Sequence, residues 1–453
     1  MPLQFNQFVR ALMAGGGGAA LTQLPAQAQI VEAWHSDAIT PQADASQLAA
    51  WTGSVAGVTL AQATAGTRPL YRTTGVNGKP YVSMSGSQMM SVTADATLNA
   101  AMSGGKFTLM AFFRNAVGKA FGIVAAANTG NSNLYVASSS YTVAGYGNTY
   151  GAGNAAAGRM NWDGSAGSST VQSVAVAFGG GVTTLFNSTV FNGAHVTMGG
   201  SNWGAPNGTL YLGSSTAANS YQGELYSLVL WNRALTPAET MQAQQWASDK
   251  FGQVSPVQQY GKLYIAAGDS QTLGYQSTSP FLDNYAYKIA VAQSIPMGCW
   301  MNLGQTSQQT GNLDTWAATA IDGIPALVGP SVNTVLSYLE YYNIRLLGNP
   351  AGLNLTYATN RKTAGFNKFV LATCSDSVDH PAGRATYLSS LASGYVAAGV
   401  DRLSALDMNA NIGVVGSCTA ATPTTYFKDG IHWTTAGQTE AYGVIGPDVV
   451  AVL

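Results

Sequence analysis

Apolar side chains alternate with small or polar ones in short runs through residues 30–253, and clusters of Gly, Asn and Ser separate the runs. Phe107–Phe113, Ser173–Phe178, Thr183–Phe186, Thr209–Leu212 and Leu225–Trp231 are examples. A period of two is the signature of a strand with one buried face. In Ser173–Phe178 the larger Val174, Val176 and Phe178 fall on one face and Ser173, Ala175 and Ala177 on the other. Many short strands joined by turns predict an all-β sandwich. The period then changes. After Thr236, the residues Ala243, Trp246, Ala247 and Phe251 recur at helical spacing. Thr236 is placed to cap this helix, with Pro237 at its first position and Glu239 three residues on, the pattern of a capping box. Gly252–Gln259, around Pro256, predicts a linker, with the domain boundary at residues 254–260.

Residues 261–453 carry a different pattern. Leu263–Ala267 is an unbroken run of the kind found in buried strands, and Val332–Leu339 and Phe369–Thr373 are further strand-like runs. Thr434-Thr435-Ala436-Gly437 opens a last helix. At the N-terminus, Phe5, Phe8, Val9, Leu12 and Met13 share one helical face. Residues 1–29 are therefore expected to be an anchoring segment that docks to another subunit. The rival expectation for the same residues is a cleaved leader. Arg10, the apolar Ala11–Leu21 and the small-x-small Ala26-Gln27-Ala28 fit it, and release would leave Gln29 first.

Composition sharpens this picture. The chain has 453 residues, enough for two or three domains. Charged residues are 9% of the chain, against ~25% in ordinary soluble domains, and 53 glycines accompany them. The net charge is −1, and the halves hold 10 basic against 8 acidic residues and 9 against 12, too little excess to steer either half to a polyanion. Binding to nucleic acid or to an anionic membrane by bulk electrostatics is thereby excluded. No run approaches the ~18 apolar residues of a membrane span. Low Lys and Glu with abundant Ser, Thr, Gly and Tyr is the composition of an extracellular or virion-surface protein. Cys299, Cys374 and Cys418 show no metal-ligand spacing and are expected to be buried free thiols, with a Cys374–Cys418 disulfide left open.

In the first half, Tyr146, Tyr150 and Trp203 are candidates for stacking on sugar rings, or are ordinary loop and core aromatics. Gly145–Gly153 lacks the spacing of a phosphate loop. His35 and His195 have no second histidine at ligand spacing and are expected to be structural. The segment Asn232-Arg233-Ala234-Leu235-Thr236, with its closing helix, resembles the laminin-G-like, concanavalin-type jelly roll. Trp34-His35-Ser36-Asp37 and Gly75-Val76-Asn77-Gly78 do so as well. That resemblance implies a fold and leaves function open, since such domains bind sugars, proteins or nothing.

The candidate chemistry lies in the second half. Leu263–Ala267 runs straight into Gly268-Asp269-Ser270, placing a serine just past a strand's carboxyl end, where α/β sheets bind ligands. Met301-Asn302-Leu303-Gly304 follows at about one βαβ unit, and Gly304 lets a backbone N–H approach a substrate closely. Val332–Leu339 leads to Glu340-Tyr341-Tyr342-Asn343, bringing an amide to another strand end. Near the C-terminus, Asp429-Gly430-Ile431-His432 sets a carboxylate three residues before a histidine. In a tight turn that spacing lets Asp429 reach Nδ1 of His432 and leaves Nε2 free to accept a proton. His380, beside Asp379, is the other histidine of this half and is expected in an exposed polar loop. Asp269 is expected to be structural.

Together these elements resemble the SGNH (GDSL-type) hydrolase family over about residues 261–453. The resemblance implies a flavodoxin-like, three-layer α/β/α fold with a five-stranded parallel sheet. It implies Ser270 as nucleophile, His432 as general base and Asp429 as the residue that orients it. The oxyanion hole would be the backbone N–H groups of Ser270 and Gly304 and the side-chain amide of Asn343. No metal or cofactor is required. The family's third motif, Gly-x-Asn-Asp, reads Tyr341-Tyr342-Asn343-Ile344 here, which suggests a cleft lined by tyrosine. The implied activity is that of a serine esterase, in first place a carbohydrate O-acetylesterase acting on acylated surface polysaccharide. An N-terminal anchor, a glycine-rich β domain and a terminal esterase resemble a phage tail fibre or tailspike, usually a homotrimer held to other tail subunits. A secreted bacterial esterase or lipase, or a receptor-binding virion protein with a decayed hydrolase domain, are the alternatives.

Overall fold

The computed structural model describes residues 23–453 except 94, 104–105, 125–132, 139–140, 146–158, 163–171, 180–181, 188–193, 198–208, 214–221, 254, 275–276, 278–282, 297, 306–307, 340–341, 348, 374–377, 381–382, 405–417 and 419–422. Residues 1–22 of the expected N-terminal anchor or leader and the aromatics Tyr146, Tyr150 and Trp203 fall outside the described residues. The remaining residues of that segment lie against the β-rich region: Leu24 is buried, and the carbonyls of Pro25 and Gln29 accept Trp231 Nε1 (3.1 Å) and the Asn232 N–H (3.0 Å). Among those described, the chain divides into a β-rich N-terminal region and a C-terminal α/β region.

The N-terminal region is built from antiparallel strands in two sheets that share Lys106–Val124. The first part of this strand pairs with Gln172–Gly179 and Gln222–Trp231. Its last residues pair instead with Asn133–Ser138 and Thr209–Gly213. Register irregularities at Lys119/Phe121 and Leu225/Ser227 accompany the change of sheet, as bulges do where a strand bends. The expected runs Phe107–Phe113, Ser173–Phe178, Thr183–Phe186, Thr209–Leu212 and Leu225–Trp231 all lie within strands. Trp34, Trp51, Leu60, Val82, Leu109, Phe113 and Leu228 are among the buried residues of this region. A buried carboxylate crosses it: Glu32 accepts backbone N–H bonds from Ala33 (2.9 Å), Val55 (2.8 Å) and Val58 (2.7 Å). Those bonds replace the water it has lost.

Helix Pro237–Phe251 closes this region as the sequence predicts. Thr236 Oγ1 accepts the Glu239 N–H at 3.2 Å, and the Glu239 carboxylate accepts the Thr236 N–H at 2.9 Å. The helix covers the sheet with Trp246, whose ring meets Phe112 edge-on at 5.3 Å and lies 5.7 Å from His35. Its other neighbours are helices Thr310–Ala320 and Ile324–Val328 of the second region. The linker expected over residues 254–260 is a helical turn for most of its length, Pro256–Tyr260. Ser255 caps it through a bond from the Gln258 N–H, Pro256 suits its first position, and Gly261 ends it at φ 74°. Proline here starts a helix where the sequence alone suggested a break.

The C-terminal region contains a five-stranded sheet, all parallel. Its strands are β1 (Lys262–Gly268), β2 (Trp300–Gly304), β3 (Asn333–Leu339), β4 (Lys368–Ala372) and β5 (Arg402–Ser404), in the order β2-β1-β3-β4-β5. The order reverses at β1/β3. Right-handed crossovers then send helices to opposite faces on either side of that point. Tyr285–Ala292 packs with the last helix, Thr435–Val450, while Thr310–Ala320 and Gly383–Gly394 pack with Ala351–Thr363. No described helix is long and apolar enough to cross a membrane. Cys299 and Cys418 are buried free thiols, which removes the disulfide left open for Cys418. Burial pushes the Cys299 thiol up to about 12. Cys374 lies outside the described residues.

Candidate active site

The switch point β1/β3 is where an open α/β sheet forms a crevice at its carboxyl edge. Gly268 ends β1 opposite both Gly304 and Leu339. Its φ is 151°, and a Cβ built there would lie 1.8 Å from the Leu339 carbonyl oxygen. Glycine is therefore required at this turn. Asp269 follows as N-cap, its Oδ1 accepting the Gln271 N–H at 2.9 Å. This is the structural role expected of it. Ser270 opens the short helix Ser270–Leu273, and Gly274 closes it with φ 80°. Ser270 is buried, at 7% exposure. Its backbone N–H lies in the first turn, where no helical carbonyl is available to it.

The histidine sits in a tight loop between two paired positions, Phe427 and Trp433. The Lys428 N–H donates to the His432 carbonyl at 2.8 Å, and Gly430, at φ 85°, lets the chain fold back. That fold wraps residues 431–432 around Asp429. One carboxylate oxygen accepts the backbone N–H groups of Ile431 (3.0 Å) and His432 (2.8 Å), and the other meets His432 Nδ1 at 2.7 Å. Burial acts to raise the Asp429 pKa. The hydrogen bonds from the His432 backbone and ring and from Ile431, with the ring's charge, outweigh it and hold the carboxyl below its ordinary range. In a neutral imidazole, an ionised Asp429 keeps the proton on Nδ1, which leaves Nε2 as the acceptor.

A residue that sequence reading did not single out joins the two segments. Gln271, fully buried, donates from Nε2 to the Ile431 carbonyl and accepts the Trp433 N–H on Oε1 at 3.1 Å. One side chain beside Ser270 thus holds the backbone on both sides of His432. Gln438, from the last helix, donates to the Gln271 carbonyl at 2.7 Å and accepts the Tyr285 N–H at 3.0 Å. The signal in the sequence was a long amide directly after an apolar strand and turn, in a position where a buried glutamine needs partners.

The other two predicted residues stand at the same edge of the sheet. Gly304 ends β2, and its N–H donates to Asn302 Oδ1 at 3.0 Å. Asn302 in turn donates to the Thr272 carbonyl at 2.8 Å. A Cβ on Gly304 would lie 2.2 Å from the Leu273 nitrogen, so Gly304 packs directly on the Ser270 helix. Asn343 lies in the first turn of helix Tyr342–Leu347, just beyond the end of β3. It is fully buried, and its Nδ2 donates to Thr310 Oγ1 at 3.0 Å. Thr310 also accepts from the Tyr338 hydroxyl (3.0 Å) and donates to Asn354 (2.9 Å). His380, expected in an exposed loop, is half-buried before helix Gly383–Gly394. Among the described residues no cluster of His, Cys, Asp and Glu is arranged to hold a metal ion. His35 lies in the β-rich region, its Nδ1 2.9 Å from Ser227 Oγ.

No family model and no curated protein matches the chain. Among solved structures it is similar to TesA, with 14% identity over 42% of this chain and 99% of that one, at a TM-score of 0.33. It is also similar to a lipolytic protein of the G-D-S-L family from Veillonella parvula, with 15% identity over 42% of this chain and 100% of that one, at a TM-score of 0.31. A third similarity is to domain 4 of AbnA, an extracellular arabinanase from Geobacillus stearothermophilus. It has 11% identity over 48% of this chain and 98% of that domain, at a TM-score of 0.32.

Proposed function

We propose that residues 261–453 are a serine ester hydrolase of the SGNH type, with Ser270 as nucleophile, His432 as general base and Asp429 as its orienting carboxylate. The observation that carries this reading is the pairing of Asp429 with His432 Nδ1 in a loop that Gln271 ties to the turn bearing Ser270. His432 Nε2 takes the Ser270 proton as Oγ attacks the ester carbonyl. The alcohol leaves with that proton, and water activated by the same ring releases the acid from the acyl-enzyme. The tetrahedral oxyanion would be met by the N–H groups of Ser270 and Gly304 and by Asn343 Nδ2. Of these, Gly304 and Asn343 already donate to Asn302 and Thr310. The oxyanion therefore has to compete with Asn302 for the Gly304 N–H and with Thr310 for the Asn343 amide. Loss of one such donor costs ~10²–10³ in rate.

The substrate class follows from the rest of the chain. A chain with only 9% charged residues and a large β-rich region ahead of the hydrolase suit removal of acyl groups, acetyl first, from surface polysaccharide. The setting would be a phage tail or another extracellular assembly, with residues 1–29 docking to other subunits and the chain forming a homotrimer. The deciding experiment compares the parent with Ser270→Ala for hydrolysis of p-nitrophenyl acetate and for acetate release from acetylated polysaccharides. A folded Ser270→Ala protein that hydrolyses the ester at the parental rate overturns the assignment. A parent with neither esterase activity nor labelling by a fluorophosphonate is a binding protein built on a hydrolase fold.

A further inference from the structure

We infer that Gln271 is a positioning residue for catalysis: its side-chain amide, bonded to the backbone on both sides of His432, sets where the imidazole stands relative to the neighbouring Ser270. The inference rests on the proposed hydrolase reading and adds to it a residue outside the nucleophile, base, orienting carboxylate and oxyanion donors.

The geometry leaves the amide one orientation. Nε2 faces the Ile431 carbonyl and Oε1 faces the Trp433 N–H. A flip would set oxygen against oxygen and N–H against N–H. The group is fully buried, so water cannot replace either partner, and an orphaned one would carry its whole desolvation penalty. The backbone carbonyl of Gln271 is held in turn by Gln438, itself fully buried and anchored on the Tyr285 N–H. Asp429 controls rotation of the His432 ring from within the loop. It exerts no hold on the loop's distance from Ser270, because all three of its hydrogen bonds stay within residues 429–432. Gln271 supplies that restraint, since its own backbone adjoins the serine. The two constraints are therefore separable: one sets tautomer and tilt, the other sets distance. A misplacement near 1 Å is enough to lower a rate ~10²-fold.

The test uses the full chain with Gln271→Met, which keeps length and apolar packing but removes both hydrogen bonds, and Gln271→Glu. The readouts are kcat and KM on p-nitrophenyl acetate and the histidine ring 15N–1H correlations, which are tractable because the chain has 4 histidines. The expected result for folded Gln271→Met is a kcat lower by about 10²-fold with KM within about threefold, and a displaced His432 Nδ1–H signal with that of His35 unchanged. Gln271→Glu is expected to recover activity relative to the parent at the same pH as pH falls from 8 toward 6, because its protonated carboxyl again donates to Ile431 while accepting from Trp433, and the ratio cancels the protonation of the general base that both proteins share. Parental kcat with an unmoved His432 signal in folded Gln271→Met overturns the inference. If the parent itself has no esterase activity, the hydrolase reading fails on that result. The His432 signal alone then decides the positioning role: displacement in Gln271→Met supports it, and an unmoved signal refutes it.

Discussion

The two oxygens of Asp429 are divided between the backbone and the ring of one residue: Oδ1 accepts the His432 N–H at 2.8 Å and Oδ2 meets His432 Nδ1 at 2.7 Å. The carboxylate therefore builds the loop and orients the imidazole at the same time. Asp429→Asn preserves size, and its amide oxygen can still accept from the backbone. The ring then faces either an amide N–H or a weaker acceptor, which favours the wrong tautomer. The expected outcome is a loss of ~10²–10⁴ in kcat on p-nitrophenyl acetate, with a circular dichroism spectrum matching the parent. The depressed Asp429 pKa fixes the sign of the acid response. Its stabilising contribution is complete above the ordinary carboxyl value and is lost as pH falls through the lowered one. At neutral pH the carboxylate is thus fully in place.

Gly268 and Gly304 should tolerate no side chain. A Cβ on Gly304 would meet backbone atoms of Leu273 and Thr272 at 2.2–2.7 Å, and one on Gly268 would meet the Leu339 carbonyl oxygen at 1.8 Å. Backbone cannot rotate aside as a flexible side chain does. Gly304→Ala and Gly268→Ala are each expected to cost about 2–3 kcal/mol in urea unfolding, with activity falling because the Ser270 turn is displaced. Gly443→Ala is the control. Gly443 lies within helix Thr435–Val450 with nothing within 4 Å of its Cβ position, so a gain of ~0.5–1 kcal/mol is expected there.

What the sequence disclosed and what it concealed divide along a physical line. Leu263–Ala267, Val332–Leu339 and Phe369–Thr373 mark β1, β3 and β4 to within a residue or two, because strands buried on both faces are rich in apolar residues, and the polar Thr334 and Ser337 within β3 are buried with Asn367 and Tyr264 as partners. The Asp429–His432 contact was equally legible, since it is local and set by spacing and one glycine. Two features were hidden. Phe107–Phe113 continues to Val124, although Gly118 and Gly122 interrupt its alternation, because pairing partners from distant strands sustain it. The clamp of Gln271 on residues 431 and 433 joins positions 160 or more apart in the chain, and no local pattern can announce such a bond. Asn343 stands just beyond the end of β3 as expected, and what the sequence did not show is the helix that begins there and the bond from its amide to Thr310.

The closing helix of the β-rich region is held at its start by a reciprocal pair, Thr236 and Glu239, and Arg233 adds a bidentate contact to the same carboxylate. Thr236→Ala removes the acceptor for the Glu239 N–H and is expected to lower stability by about 1 kcal/mol. Hydrolysis by residues 261–453 should be unaffected below the unfolding temperature. Glu239→Gln keeps the acceptor for the Thr236 N–H but loses the ion pair, so a smaller loss is expected. Thermal unfolding monitored by tryptophan fluorescence reads the change directly, since Trp246 lies on this helix against Phe112.

His35 gives the β-rich region its own acid sensitivity. Its pKa is pushed down to about 4, chiefly by burial and then by the nearby Lys250, with Asp37 acting the other way. Held neutral, it pairs with Ser227 through Nδ1. In the unfolded chain it titrates near the ordinary value of 6.5, so between pH 6.5 and 4 the unfolded state binds the extra proton. Stability is therefore complete above pH 6.5 and declines as pH falls through that window, by a total on the order of 3 kcal/mol. His35→Gln carries no titrating group and should flatten this slope while leaving the loss below pH 4, which the carboxylates control. Urea midpoints of the parent and His35→Gln, measured at half-unit intervals from pH 7.5 to 4, decide it. Parallel curves would mean that the histidine takes up its proton in the folded protein at the same pH as in the unfolded chain. Curves that converge as pH falls would show that its burial in neutral form makes this region weaken before the rest of the molecule does.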